Sequence, residues 1–191
     1  MNGILVIARV RIHDFDLPVV TDYYFDVKER LDSVEGSHGL SVWRDEVDRE
    51  AFLVIYEYED VDAAERGLAA VTEVRALAET QAADFRPADV QRVQVKRYTG
   101  ERLSATVRTA YLSMSHRIAD PGYSPELLDE IERIFDELQY LPGCLGSVYG
   151  ANDALEEEVI GIVTWRSREA FEASIPRSIK TYDISVYSRF Y

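Results

Sequence analysis

The chain repeats itself. Arg9-Val10-Arg11-Ile12-His13-Asp14 reads against Ser115-His116-Arg117-Ile118-Ala119-Asp120, with Arg, Ile and Asp recurring 106 residues apart. Ser41-Val42-Trp43 reads against Ser147-Val148-Tyr149 at the same spacing. Ile55-Tyr56-Glu57-Tyr58 reads against Ile162-Val163-Thr164-Trp165 at a spacing of 107, and each half closes on an Arg-aromatic pair, Arg97-Tyr98 and Arg189-Phe190. Similarity at one long period, in one order, is the mark of a unit used twice. It restricts the fold to something two copies of about 95 residues can build.

The hydrophobic pattern says what that unit is. Ile4 to Ile12 and Ala110 to Ile118 are apolar runs with polar flanks and read as strands. Val20, Tyr23, Tyr24, Val27 and Leu31 fall at helical spacing after Pro18, as do Leu127, Leu128, Ile131, Ile134, Phe135 and Leu138. Ser124 is placed as the N-cap of the latter helix, Pro125 in its first turn and Pro142-Gly143 at its stop. A strand pair follows each helix: Leu40 to Trp43 with Phe52 to Tyr58, and Gly146 to Tyr149 with Val159 to Trp165. A second helix follows, from Val61 to Ala83 in the first half and cut short before Pro176 in the second. Val90 to Tyr98 and Ile184 to Tyr191 close the halves.

The predicted fold is α+β: two tandem ferredoxin-like β-α-β-β-α-β units, residues 1–100 and 105–191, joined near Thr99-Gly100-Glu101-Arg102. Such a unit covers one sheet face with helices, yet these strands are apolar on both, with Leu5 and Ile7 alternating with Ile4 and Val6. The bare faces are therefore expected to pack together within the chain as an intrachain barrel, a pseudo-dimer. Pairing of each half with a second chain is the alternative, and a further homodimer through an outer surface stays open.

Charge and composition remove several functions. Lysine and arginine number 21 against 35 acidic residues, a formal charge of −14, which offers no general attraction for nucleic acid or anionic lipid. No run approaches the ~20 apolar residues of a membrane span, and Arg9 and Arg11 interrupt the N-terminal run too early for a signal peptide. The single cysteine, Cys144, fits a reducing compartment, so a cytoplasmic protein is expected. His13, His38 and His116 show no metal-ligand spacing, and no phosphate loop, dinucleotide fingerprint or nucleophile elbow is present. No cofactor is expected.

Two motifs in the second half are distinctive. Pro142-Gly143-Cys144-Leu145-Gly146-Ser147 precedes its second strand, and Trp165-Arg166-Ser167-Arg168-Glu169-Ala170-Phe171 follows its third. Together they resemble the antibiotic biosynthesis monooxygenase (ABM) domains of the dimeric α/β-barrel superfamily, over most of Ala105 to Tyr191. The first half reads as a diverged copy, with Tyr58 in place of Trp165. The resemblance implies a barrel of two ferredoxin-like units. It also implies cofactor-independent oxygenation of a phenol- or quinol-type aromatic, or a non-catalytic tandem domain that binds a small molecule or a protein. A haem-degrading branch relies on Asn, Trp and His. The corresponding positions are His116, the neighbourhood of Ser174, and a stretch without histidine, so none is matched by type.

His116 is the candidate catalytic residue. Alternation puts it on one strand face with Leu112, Met114 and Ile118, and that face is expected to lie under the helices. A neutral imidazole there can orient or deprotonate a phenol. Leu112, Met114 and Trp165 are the candidate substrate-binding residues, since aromatic-ligand sites are lined mainly by apolar side chains. The structural alternatives are a core histidine bonded to the backbone and a tryptophan packed under the second helix. Arg117, with Arg11 as its counterpart, is expected on the other face, paired with a carboxylate or a carbonyl. Trp43 and Tyr149 are expected as an equivalent pair at the sheet–sheet contact.

Overall fold

The computed structural model describes residues 3–81, 89–175 and 184–191. The first six elements in chain order are β1 (Ile4–Arg11), α1 (Leu17–Asp32), β2 (Ser37–Asp45), β3 (Ala51–Tyr58), α2 (Val61–Gln81) and β4 (Asp89–Gly100). A short turn of 3-10 helix, Leu103–Ala105, leads to β5 (Tyr111–Ile118), α3 (Ser124–Leu138), β6 (Cys144–Asn152), β7 (Leu155–Trp165), α4 (Arg168–Ser174) and β8 (Ile184–Arg189). The order β-α-β-β-α-β therefore occurs twice. The expected end of the second helix at Ala83, and Pro176, lie outside the described residues.

All eight strands form one closed antiparallel barrel in the order β1-β3-β2-β8-β5-β7-β6-β4. Each run of four keeps the ferredoxin-like arrangement, with its first and third strands central. The two runs meet edge to edge along β4–β6 and β2–β8. Closure removes the sheet edges that would otherwise present unpaired backbone groups. It also turns the bare faces inward. Leu5, Ile7, Trp43, Leu53, Ile55, Val93, Leu112, Met114, Val148, Ile160 and Ile162 form one continuous barrel core, drawn from both halves. The expected α+β intrachain barrel is the observed one.

The expected face of β5 is inverted. Leu112 and Met114 are 0% and 1% exposed inside the barrel, not beneath the helices. His116 has the same parity and faces the barrel axis at one mouth. Trp165 lies outside, in the core under α3 and α4 with Phe135, Tyr149 and Phe171. Both faces of these strands are apolar, so alternation alone could not choose between them. Trp43 and Tyr149 also part company, the first inside the barrel and the second on the helix side.

The reason is a one-residue shift in the repeat. Tyr58 lies opposite Ile4 and Trp165 opposite Tyr111, which aligns the halves at a spacing of 107 along these strands. Bulges at His38 and Leu145 carry the same offset into β2 and β6. Arg9, not Arg11, thus stands where the second half has His116. The structural counterpart of Tyr149 is Val42.

The far end of the barrel is plugged by the junction between the halves. Leu103 is 1% exposed, and the fully buried Glu57 accepts bonds from Ser104 N (2.6 Å) and the Tyr98 hydroxyl (3.0 Å). Arg189 Nη1 donates to Leu103 O at 2.7 Å, and its guanidinium lies 4.9 Å from the centre of the Trp43 ring. Burial pulls Arg189 down to about 10. Thr99 and Gly100, expected in a polar linker, are the last rungs of β4, and Glu101 N bonds Leu145 O at 2.9 Å. Ser124 is the first residue of α3 and not its cap. A cap by side chain occurs on α4, where Ser167 accepts from Ala170 N.

Candidate functional site

Two places deserve comparison: the barrel mouth at His116 and the helix-covered outer face of β5 and β8. At the mouth, β1 and β5 are not neighbours in the sheet, yet Arg9 Nη2 meets His116 Nε2 at 2.6 Å across the barrel. A guanidinium can only donate, so Nε2 is the acceptor and Nδ1 carries the hydrogen, which it gives to Glu158 Oε1 at 2.9 Å. Glu158 Oε2 accepts from Asn152 Nδ2, and Arg9 is held in turn by Asp89 and Gln91. Burial pushes the Glu158 carboxyl up. The bonds from Asn152 and His116 and the charge of Arg9 outweigh it and leave Glu158 below the ordinary glutamate value.

His116 is thus neither packed onto backbone groups nor presented to an apolar cavity. Both ring nitrogens are spent on side chains that tie the two halves together. Leu112 and Met114 beneath it belong to the barrel core. The expected grouping of His116, Leu112 and Met114 with Trp165 does not form, because Trp165 is on the other side of the sheet.

The outer face differs sharply between the halves. On β1 that face is Ile4, Val6, Ala8 and Val10, all 5% exposed or less. It is buried in one core with Val20, Tyr24, Val27 and Leu31 of α1, and α2, packed on α1, lies against β1. At the same ladder positions β5 has Tyr111, Ser113, Ser115 and Arg117. Tyr111, Ser115 and Arg117 are only half-buried, as are Ile184 and Val186 beside them on β8. The helices explain why. α3 packs on β6 and β7, and the helix that packs on β5 is α4, 7 residues long where α2 is 21.

Each polar group on this strip has a distinct state. Ser113 Oγ accepts from Trp165 Nε1 at 2.9 Å, so the indole is a fixed, 1% exposed wall behind the strip. Ser115 Oγ is held loosely, with Gly161 O at 3.5 Å, the outer limit of a hydrogen bond. Arg117, 18% exposed, meets Glu130 of α3 at 3.2 Å, and Glu130 is 48% exposed. A carboxylate, one of the two partners expected for Arg117, is therefore present. The strip is a half-buried groove of mixed character, apolar at Ile184 and Val186, with one adaptable hydroxyl and one cation at its end. Tyr111, Ser113 and Ser115 were not singled out in the sequence. The signal lay in the repeat, once read at 107: a sealed apolar strand against a partly polar one.

Other chemistry is not assembled elsewhere. Burial pushes the Cys144 thiol up, away from thiolate character. Among the described residues no cluster of three His, Cys, Asp or Glu is arranged to hold a metal, and no helix is long and apolar enough to cross a membrane. A cleft of about 400 Å³ lies at the start of α2, lined by Asp60, Asp62, Gln94 and Lys96 among others. None of the sequence-derived candidates touches it.

A closed antiparallel barrel of two ferredoxin-like runs with helices outside defines the class: a one-chain α/β barrel. Solved structures share it. One is a Fusobacterium nucleatum subsp. nucleatum protein described as a "putative monooxygenase", with TM-score 0.81 and 13% identity, over 100% of this chain and 93% of that one. A Lactobacillus acidophilus NCFM protein with the same description gives TM-score 0.74 and 12% identity, over 99% and 94%. An anthrone oxidase-like protein gives 0.65 and 15%, over 100% and 92%. At such identities the likeness is one of fold. No protein-family model matches the chain, and no curated protein sequence matches it.

Proposed function

We propose that this chain is an ABM-like, cofactor-independent monooxygenase for a phenol- or quinol-type aromatic, bound on the outer face of β5 and β8. We further propose that its halves, 1–100 and 105–191, descend from one duplicated unit. The observation that carries the reading is the exchange of Ile4, Val6, Ala8 and Val10 for Tyr111, Ser113, Ser115 and Arg117 at matching positions. A sheet face meant only for packing gains nothing from losing its seal and taking on three hydroxyls and a guanidinium. The neighbours described as monooxygenases and as anthrone oxidase-like support the reaction class.

In this reading the aromatic ring lies on the apolar floor, and its hydroxyl hydrogen-bonds Ser115. Loss of the hydroxyl proton to solvent water at the groove mouth leaves an anion electron-rich enough to reduce dioxygen. One oxygen atom forms the new carbonyl at a ring methylene, and the other leaves as water with the two hydrogens lost from that carbon. His116 takes no part. The second reading, a binding domain without turnover, is favoured by the absence of a committed general base among the described residues of the groove.

Oxygen uptake with anthrone separates them. Turnover is expected in the native protein and at least tenfold lower in Ser115→Val. It should persist in His116→Asn, which keeps an acceptor for Arg9. Binding of anthrone without oxygen uptake would establish the second reading, and dependence on His116 rather than Ser115 would overturn the groove as the site.

A further inference from the structure

The groove has polarity along its length. Tyr111 and the buried Trp165 stand at one end and Arg117 at the other, six residues away along β5, about 20 Å at strand spacing. Between them lie Ser115, Ile184 and Val186. A chain with formal charge −14 repels small anions at long range. An acid can therefore bind only where the fold already holds a cation out of water. Arg117 is such a cation: 18% exposed, at the end of this half-buried strip, in a position filled by Val10 in the other half.

Its partner across the groove suits an exchange. Glu130 sits on the exposed side of α3 with half its surface in water and makes one contact with Arg117, at 3.2 Å. Turning that carboxylate outward returns a half-exposed group to water, and the incoming carboxylate replaces it on the guanidinium. A ligand carboxylate in its place would gain a planar, two-pronged contact with the guanidinium inside a drier site.

We propose that the groove's substrate is an aromatic acid, whose carboxylate takes the place of Glu130 on Arg117 while its ring and hydroxyl lie toward Ser115. This rests on the groove being the substrate site. It adds the acid group, which neither the fold nor the reaction class requires.

Calorimetric titration of the full chain with 1-hydroxy-2-naphthoate and with 1-naphthol tests it. The two probes share a ring and a hydroxyl and differ by the carboxylate. The native protein is expected to bind the acid at least tenfold more tightly, a ratio in keeping with a hydrogen bond to a charged group. Arg117→Gln should bring the two probes to equal affinity, and Arg117→Lys should keep part of the preference. Glu130→Gln, a surface change with little risk to folding, should strengthen binding of the acid several-fold and leave 1-naphthol unchanged. Equal binding of both probes by the native protein, or a preference for the acid that survives Arg117→Gln, overturns the proposal. If 1-naphthol binds and Ser115→Val weakens it while the acid gains nothing, only the acid anchor fails. If neither probe binds, the groove itself is not the site and both readings fall.

Discussion

At the scale of single residues, the barrel mouth shows how a reactive side chain becomes a structural one. Imidazole is a common acid–base group near neutral pH, but in this chain a donor on one nitrogen and an acceptor on the other fix its tautomer and use both lone pair and hydrogen. The carboxylate that orients it carries a testable consequence. Glu158 lies below its ordinary value of 4.5, so the folded protein holds its proton less tightly than the unfolded chain. Its stabilisation is complete above the ordinary glutamate range and is lost as pH falls below 4.5 and then through the lowered folded value. Thermal unfolding followed by circular dichroism should show the melting temperature falling through this range. In Glu158→Gln the fall should be shallower and the neutral-pH melting temperature lower. An unchanged acid limb in the variant would mean that Glu158 contributes no linked stability.

Among elements, helices and strands were legible where the sequence had one strong period or one clear stop. The α3 stripe and Pro18 ahead of the α1 stripe are examples. The second half's short α4 was implied by Pro176, itself outside the described residues. What could not be read was which face of each strand turns inward. Leu5 and Ile7 look no more buried in sequence than Ile4 and Val6, and only closure of the barrel decides. The candidate site suffered for the same reason, since turning the His116 face toward the helices and not the barrel hid Ser115. Packing of α3 on the sheet depends on a further detail of this kind. A Cβ on Gly161 would stand 2.7 Å from Cζ of the buried Phe135 ring and 3.0 Å from Ser115 Oγ. Gly161→Ala should therefore lift α3 from β7, at a cost of about 1–3 kcal/mol. That corresponds to a melting temperature lower by roughly 3–10 °C for a chain of this size. Adding Phe135→Leu should make the double variant more stable than the sum of the single losses predicts, as expected of residues in contact. Strict additivity in the melting data would show that the ring is not what the new methyl meets.

For the whole molecule, the question is how two similar halves stay closed as one barrel, since the two seams between them are unequal. Along β4–β6 the ladder runs from Val93 opposite Asn152 to Gly100 opposite Gly146, and Glu101 and Asp153 extend it at the two ends. Gly146 is required there, because a Cβ would lie 2.3 Å from Glu101 O. Along β2–β8 only Trp43, Arg44 and Asp45 pair, with Arg189, Ser188 and Tyr187. Four further backbone bonds, among them Val42 N to Tyr191 O and Glu46 N to Val186 O, lengthen this seam slightly. Local opening follows the weakest cooperative unit. The barrel should therefore breathe at β2–β8, swinging β8 and the groove floor at Ile184 and Val186 away from the first half, while β4–β6 stays paired. Native-state hydrogen exchange read by NMR checks this. Amides of Phe190 and Val42 should exchange at least tenfold faster than those of Asp153 and Glu101. A ligand held on the groove should slow the first pair and leave the second unaltered. Equal protection of the two seams would mean that the internal brace of Arg189 on Trp43 and on the junction carbonyls makes up for the shorter ladder. Ligand entry would then have to proceed without separation of the halves.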